Sequence, residues 1–277
     1  MATPASDRMT RWLVTGPPLA FLVLFFLIPS LIIGVASFRY PGEFGGLAPL
    51  RPTHPGEDAG LTAENYRVFF SDSVYFQIFL KSFVVAAVTT LLCLVLAYPL
   101  ALLIARSPKR HRDLMVLLCV LPFASNFLVR VYAWMIMLGP FGLLFSQTAV
   151  LLAMVYVHLP FMILPLYTNL EKHDPALLDA AQDLGANGWH RFWKVTFPLS
   201  LPGVFAGSAL VFIPVLGMFA IPEILGGIGD WMVGNMIKEG FLGVRDWPFG
   251  SMLSIMLTLC VLAIAGGAAW IARRKAE

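Results

Sequence analysis

Six runs of nearly uninterrupted apolar residues constrain this chain more than anything else in it. They fall at about 13–37, 76–105, 114–138, 148–168, 201–225 and 249–272, and each is close to the ~20 residues a helix needs to cross a bilayer. Inside hydrocarbon no water is available to backbone amides, so each run must close its hydrogen bonds internally as a helix. Of 277 residues, 58% are hydrophobic and 13% are charged, against about 25% charged in soluble domains. The reading is an all-α polytopic membrane protein with six transmembrane helices. Residues 1–277 form a single transmembrane domain, with no internal repeat and no soluble module. Pro17, Pro18, Pro29, Pro99, Pro122, Pro160, Pro165, Pro214 and Pro222 lie in or near the runs. Neighbouring helices can satisfy the carbonyls they free, so they predict kinks and not breaks.

Basic residues set the orientation. An N-inside start places Arg8, Arg11, Arg106, Lys109, Arg110, Arg112, Lys172, Arg191, Lys194, Arg273, Arg274 and Lys275 in the cytoplasm, twelve of the nineteen. Both termini are then cytoplasmic. Arg39, Arg51, Arg67, Lys81, Arg130, Lys238 and Arg245 fall mostly in a long loop or near the outer surface. The first run is read as an uncleaved anchor, because it is too long for a signal peptide and contains Pro29. Cys93, Cys119 and Cys260 sit singly in separate runs, so neither a disulfide nor a metal site is expected.

Two connections have distinct character. Residues 38–75 are read as the long extracytoplasmic segment, and within it "PGEFGGLAPLRPTHPGEDAGLT" (41–62) is rich in Pro and Gly and should be irregular. Tyr66, Phe69 and Phe70 leave two readings open there, a short amphipathic surface helix or a packed-down loop. The second is "DPALLDAAQDLGANGWHRFWKVTFP" at 174–198, a charged, capped insert in an otherwise oily chain. Asp174 and Pro175 start a helix. Leu177, Leu178, Ala181 and Leu184 make its apolar stripe, and Gly185 ends it. Asn187 caps a second helix with Trp189, Phe192 and Trp193 on one side and Arg191 and Lys194 on the other, stopped by Thr196-Phe197-Pro198. Both are too short to persist alone in water, so they must pack on something.

"DAAQDLGANGWHRFWKVTFP" resembles the cytoplasmic signature of importer permeases of the ABC transporter superfamily. That signature runs Glu-Ala-Ala, three residues, Gly, nine residues, Ile-x-Leu-Pro. Asp179 replaces the Glu; Ala180, Ala181, Gly185 and Pro198 hold their places; Val195 and Phe197 stand for the Ile and Leu. The resemblance implies a fold like that of type I ABC importer permeases, with 174–198 as a cytoplasmic coupling helix seated in a cleft of an ATP-hydrolysing subunit. The chain has no GxxxxGK[ST] loop, so ATP and Mg are expected on that partner, with no cofactor here and no enzymatic activity. "SNFLVRVYAWMIMLG", "YVHLPFMILPLYTNLEKHDP", "GMFAIPEILGG" and "DWPFGS" carry the likeness further, to the spermidine/putrescine (polyamine) group of binding-protein-dependent inner-membrane components. It implies a second homologous permease, two copies of an ABC ATPase, an extracytoplasmic binding protein and a place in the bacterial inner membrane, with no nucleic acid involved. That group has a longer segment between spans three and four than "LGPFGLLFSQ" here.

A polyamine path needs carboxylates near ammoniums and aromatic faces for cation–π contact. Glu223, placed near the outer end of span five, is the first candidate; its alternative is a helix-end carboxylate reaching water. Asp230, Trp231, Glu239, Asp246 and Trp247 follow it. Tyr132 and Trp134, on span three, suit either the path or an interfacial belt. Asn126 and Arg130 are expected near the midplane and in the outer half of span three, one turn apart on one face, with Arg130 paired to Glu223. Another small solute of the same transporter branch is the alternative cargo. An ion-coupled secondary transporter would want a chain of buried acids, which the runs lack. His54, His111, His158, His173 and His190 are scattered, without HExxH or GxSxG, so a hydrolytic site has no support. His158 is expected to be a packed, hydrogen-bonded residue.

Overall fold

The computed structural model describes residues 4–52 and 58–274, and side chains over 13–52 and 58–267. His54 and Lys275 lie outside the described residues. Among the described residues thirteen α-helices follow in chain order: α1 (Pro4–Leu22), α2 (Ile28–Ala36), α3 (Glu64–Ser71), α4 (Ser73–Arg106), α5 (Lys109–Val120), α6 (Phe127–Leu138), α7 (Gln147–Leu170), α8 (Ala176–Asp183), α9 (Gly188–Arg191), α10 (Phe197–Leu216), α11 (Ala220–Leu225), α12 (Val233–Lys238) and α13 (Trp247–Arg274). Among the described residues five helical stretches are long and apolar enough to cross a membrane, and a bent pair makes a sixth.

Pro17, Pro18, Pro99, Pro160, Pro165 and Pro214 lie inside α-helix, and at other prolines the backbone changes. A π turn, Val23–Leu27, precedes Pro29, and another, Phe192–Thr196, precedes Pro198. A proline offers no N–H to the carbonyl four residues back and crowds it. In each wider turn the residue before the proline bonds five residues back, Ile28 N–H to Val23 O and Phe197 N–H to Phe192 O. Helix therefore continues from Gly188 to Leu216; the expected stop at Thr196-Phe197-Pro198 is absent.

Pro122 corrects the other expectation. The third span is not one kinked helix from 114 to 138. Its halves, Lys109–Ala124 and Phe127–Phe141, meet at 92°. Leu121–Ala124 tightens to a 3-10 turn, Ser125 is extended, and Asn126 accepts from Leu128 N–H at 2.8 Å to restart the helix. The fifth span also ends earlier than 225. It stops at Leu216, and residues 220–225 form the separate α11.

The chain packs as two compact units, residues up to 76 with 236 onward, and residues 77–235. In the first, α2 packs on α13, with Gly34 facing Ile255, and α13 also meets α3. The 62–72 stretch is a helix and not a loop: Phe69 is buried, Phe70 faces out, and Tyr66 reaches Ser37 Oγ at 2.9 Å. Asn65 Nδ2 donates to the carbonyls of Ser37 and Arg39, tying α3 to the end of α2. The described residues of the 38–61 loop are irregular, as expected, with isolated bridges from Arg39 to Leu61 and from Pro41 to Leu47.

The second unit is organised around α7, the most enclosed of the candidate spans. The small side chains of Ala86, Cys93, Ala97 and Ala101 form the buried stripe of α4, and Cys93 lies against the Val155 carbonyl of α7. On α10, Gly203 and Gly207 face α7. A Cβ on Gly203 would lie 2.8 Å from Asn169 Cβ and 3.0 Å from Pro165 O; one on Gly207 would lie 2.7 Å from Met162 Sδ. This is a small-xxx-small contact, which lets two apolar helices approach where lipid offers no hydrophobic drive to bring them together. His158 is buried, with Nδ1 2.9 Å from the Met154 carbonyl, the hydrogen-bonded packing expected of it.

Gly203→Val should therefore force α7 and α10 apart, at about 1–3 kcal/mol for overpacking a tight site. Thermal unfolding of the purified protein in detergent would show a lower Tm than wild type. An unchanged Tm would mean that the contact is not tight.

Candidate functional site

The 174–198 insert is built from its caps outward. Asp174 Oδ1 accepts from Ala176 N–H at 2.9 Å, opening α8 as a carboxylate cap should. At the other end Gly185 N–H bonds Gln182 O at 2.8 Å, and Ala186 N–H bonds Ala181 O at 3.0 Å. That pair of bonds is a Schellman motif, with Gly185 at φ +82° in the left-handed region where a side chain is strained. Asn187 Oδ1 accepts from His190 N–H at 2.9 Å and starts α9. Gln182 Oε1 accepts from Arg191 Nη1 at 2.6 Å, which fixes α8 against α9.

The apolar stripe of α8 divides. Leu178 and Ala181 are half-buried against the chain, while Leu177 and Leu184 face out, Leu184 with 89% of its surface exposed. Trp189, 69% exposed, and Trp193 add to this outward apolar face. Asp179 and Ala180 are exposed as well.

Underneath, the insert is fastened to the spans. Tyr98 OH of α4 pairs with Ser200 Oγ of α10 at 2.8 Å, fully buried. Tyr98 meets Phe192 edge-on at 5.4 Å, and Trp193 packs on Phe197 at 5.1 Å. Aromatic pairs in such geometry add about 0.5–1.5 kcal/mol beyond their burial. Arg112 of α5 and Glu171, after α7, form an ion pair at 2.9 Å, and His173 Nε2 lies 3.2 Å from Leu199 O. A cleft of about 430 Å³ remains between the insert and these helix ends, lined by Leu102, Arg106, Pro175, Leu178 and Thr196 among others. The insert thus meets α4 through Phe192 and runs directly into α10.

Further along the second unit, the candidate path residues separate. Arg130 sits 5.7 Å over the Phe123 ring, its Nε buried without a hydrogen bond. With Trp134, itself 5.5 Å from Tyr156, it lines a shallow depression of about 270 Å³. Tyr132 is half-exposed. Asn126 is not on a shared helical face with Arg130 near mid-span; it is the N-cap at the bend. Glu223 is exposed on α11, which packs on α6 and α7, and so is not at the end of a continuous fifth span. Asp230 forms an ion pair with Lys81 at 3.0 Å. Asp246 and Trp247 belong to the other unit, where Asp246 Oδ1 accepts from Phe249 N–H to cap α13.

Tyr98–Ser200, Arg112–Glu171, Gln182–Arg191 and Lys81–Asp230 were not anticipated. For Lys81 a signal existed, a single cation within an apolar helix, which is functional or paired by default.

These features together define a multi-pass helical permease of the ABC importer type. Two solved bacterial transporters share its fold. One, involved in import of the acidic polysaccharide alginate, superposes with TM-score 0.68 at 17% identity, covering 98% of this chain and 99% of that one. The other, an alginate transporter complexed with an alginate pentasaccharide-bound periplasmic protein, gives TM-score 0.70 at 15% identity, covering 98% of each chain. Residues 97–276 match the family of binding-protein-dependent transport system inner membrane components, and the chain belongs to that family. Curated relatives include spermidine/putrescine transport system permease proteins PotB. That of Haemophilus influenzae is 38% identical over 87% of this chain and 86% of its own. That of Escherichia coli K12 is 37% identical over 86% and 89%. A molybdenum transport permease, ModB of Mycobacterium bovis, is 32% identical over 66% of this chain and 74% of its own.

Gly185→Ala should cost about 1–2 kcal/mol, the left-handed penalty alone, since no atom lies within 4 Å of the added Cβ. Gly185→Asn should cost less, because asparagine tolerates that region. Hydrogen exchange at residues 184–187 would rank wild type slowest, then Asn, then Ala; equal rates in all three would contradict the cap.

Proposed function

We propose that this chain is one of two homologous permease subunits of an ATP-driven importer for polyamines, spermidine and putrescine. Both termini are cytoplasmic, and an extracytoplasmic binding protein delivers the cargo. ATP and Mg are held by two copies of a separate ABC ATPase, and this chain carries no cofactor. The substrate reading is supported by the length and identity of the match to the PotB permeases, which exceed those to ModB.

The observation that carries the coupling reading is the contrast across the insert. Its lower side meets Tyr98 of α4 through Phe192, beside the Tyr98–Ser200 bond that holds the start of α10. Its upper side offers Leu184 and Trp189, 89% and 69% exposed. An exposed apolar face on a rigid, cation-flanked helix pair fits a cleft in another protein. Asp179, Ala180, Ala181 and Gly185 hold that face in register, and Pro198, in the first turn of α10, follows the π turn that hands the motion on. Dimerisation of the ATPases would move the insert, and the fastened helix ends would turn that motion into opening and closing of the path. Glu223, Tyr132, Trp134 and Arg130 are proposed to line the path, with Arg130 paired to Glu223 at its gate.

Two measurements test this. Uptake of labelled spermidine and putrescine by the reconstituted complex should require ATP, and Leu184→Asp should reduce both uptake and ATPase association about tenfold or more without lowering the Tm of this chain. Unchanged uptake in Leu184→Asp would refute the coupling role, and uptake of a different solute only would redirect the substrate. Separately, Arg130→Glu and Glu223→Arg should each abolish uptake while the double exchange restores it; additive losses would argue against the pair.

A further inference from the structure

Lys81 lies in a mostly apolar stretch of α4, and its ammonium has two partners there. It donates to Asp230 Oδ1 at 3.0 Å and to the Gly229 carbonyl. Asp230 is oriented independently of Lys81, because its Oδ2 accepts from Gly227 N–H at 3.0 Å. The surrounding segment is held on both sides. Ser82 Oγ accepts from Val233 N–H at 2.8 Å, and Asn235 bonds Met232 N–H and the Phe219 carbonyl. A carbonyl and an anchored carboxylate converging on one point form a cradle for R–NH₃⁺, a compact donor with three N–H groups. The cradle is also reachable: the side chains of Lys81 and Asp230 are 28% and 15% exposed, and Ile228 next to them is wholly exposed.

Lys81 is chemically a primary alkylammonium on a tether. We propose that the Gly229 carbonyl and the Asp230 carboxylate are a primary-ammonium subsite, that Lys81 fills it in the conformation described here, and that the terminal ammonium of the transported amine takes its place. Displacement removes the contact between α4 and the 227–230 loop, so cargo and gate compete for one set of oxygens. A tether supplies an effective concentration in the millimolar range, so a free amine gains the subsite only when delivered at high local concentration, as a docked binding protein would do. The identity of the incoming amine rests on the polyamine reading above; the subsite itself does not.

The test uses the whole solubilised transporter. Lys81→Ala removes three carbons and the ammonium, a space matched by propylammonium. Propylammonium at about ten times its Kd should raise the Tm of Lys81→Ala measurably. Tetramethylammonium, with no N–H to donate, should not, and Asp230→Asn added to Lys81→Ala should abolish the shift. No shift, an equal shift with tetramethylammonium, or a shift that survives Asp230→Asn would overturn the proposal. If Lys81→Ala fails to assemble, recovery of the complex when propylammonium alone is supplied supports the subsite, and failure of that rescue overturns it. A wild-type complex that imports no polyamine, alongside a positive result in Lys81→Ala, would remove the substrate reading and leave the subsite standing.

Discussion

Every backbone amide placed in hydrocarbon must find its partner within the protein, and the architecture follows from how this chain meets that demand. Most of it is met by uninterrupted helix. Where Pro29 and Pro198 would orphan a carbonyl, the preceding turn widens to a π geometry and the helix runs on. Where Pro122 is followed by Ser125 and Asn126, polar side chains are at hand to cap new ends, and the chain turns through 92° instead. The same residue type therefore gives continuation in one place and a sharp bend in another. The neighbours decide which.

Close helix contact then becomes a matter of side-chain size. Lipid is as apolar as the helices it surrounds, so packing of α7 against α10 depends on the approach that Gly203 and Gly207 permit. A rigid pair of this kind suits a part that must transmit displacement. Its end nearest the insert is joined by Tyr98–Ser200 to α4, and Arg112–Glu171 ties α5 to the chain just beyond α7. In the proposed mechanism the insert is a handle, and these bonds make it move with the helices.

What was legible in the sequence was local. Apolar run length located the spans; Asp174, Gly185 and Asn187 announced the caps, because capping depends on residues two to five positions apart. The signature spacing from Asp179 to Pro198 pointed to the family before any geometry was available. What was not legible depends on distant pairs. Nothing near Lys81 says that Asp230, 149 positions away, will receive it. Pro122 could be flagged as a perturbation, but its outcome hung on whether Asn126 would act as a helix cap or as a helical residue facing Arg130. Span five was overrun for a related reason: residues 217–225 are apolar enough to extend a helix, yet the chain breaks at Gly217 and restarts at Ala220.

The central claim is that the outward face of the 174–198 insert is gripped by a separate nucleotide-hydrolysing subunit. The most direct check is site-specific crosslinking from cysteines placed at Trp189 and Ala180 in membranes actively importing substrate. The account predicts one dominant adduct, formed with the ATPase and altered in yield when nucleotide is trapped. Adducts to lipid or to other copies of this chain, with none to an ATPase, would contradict it.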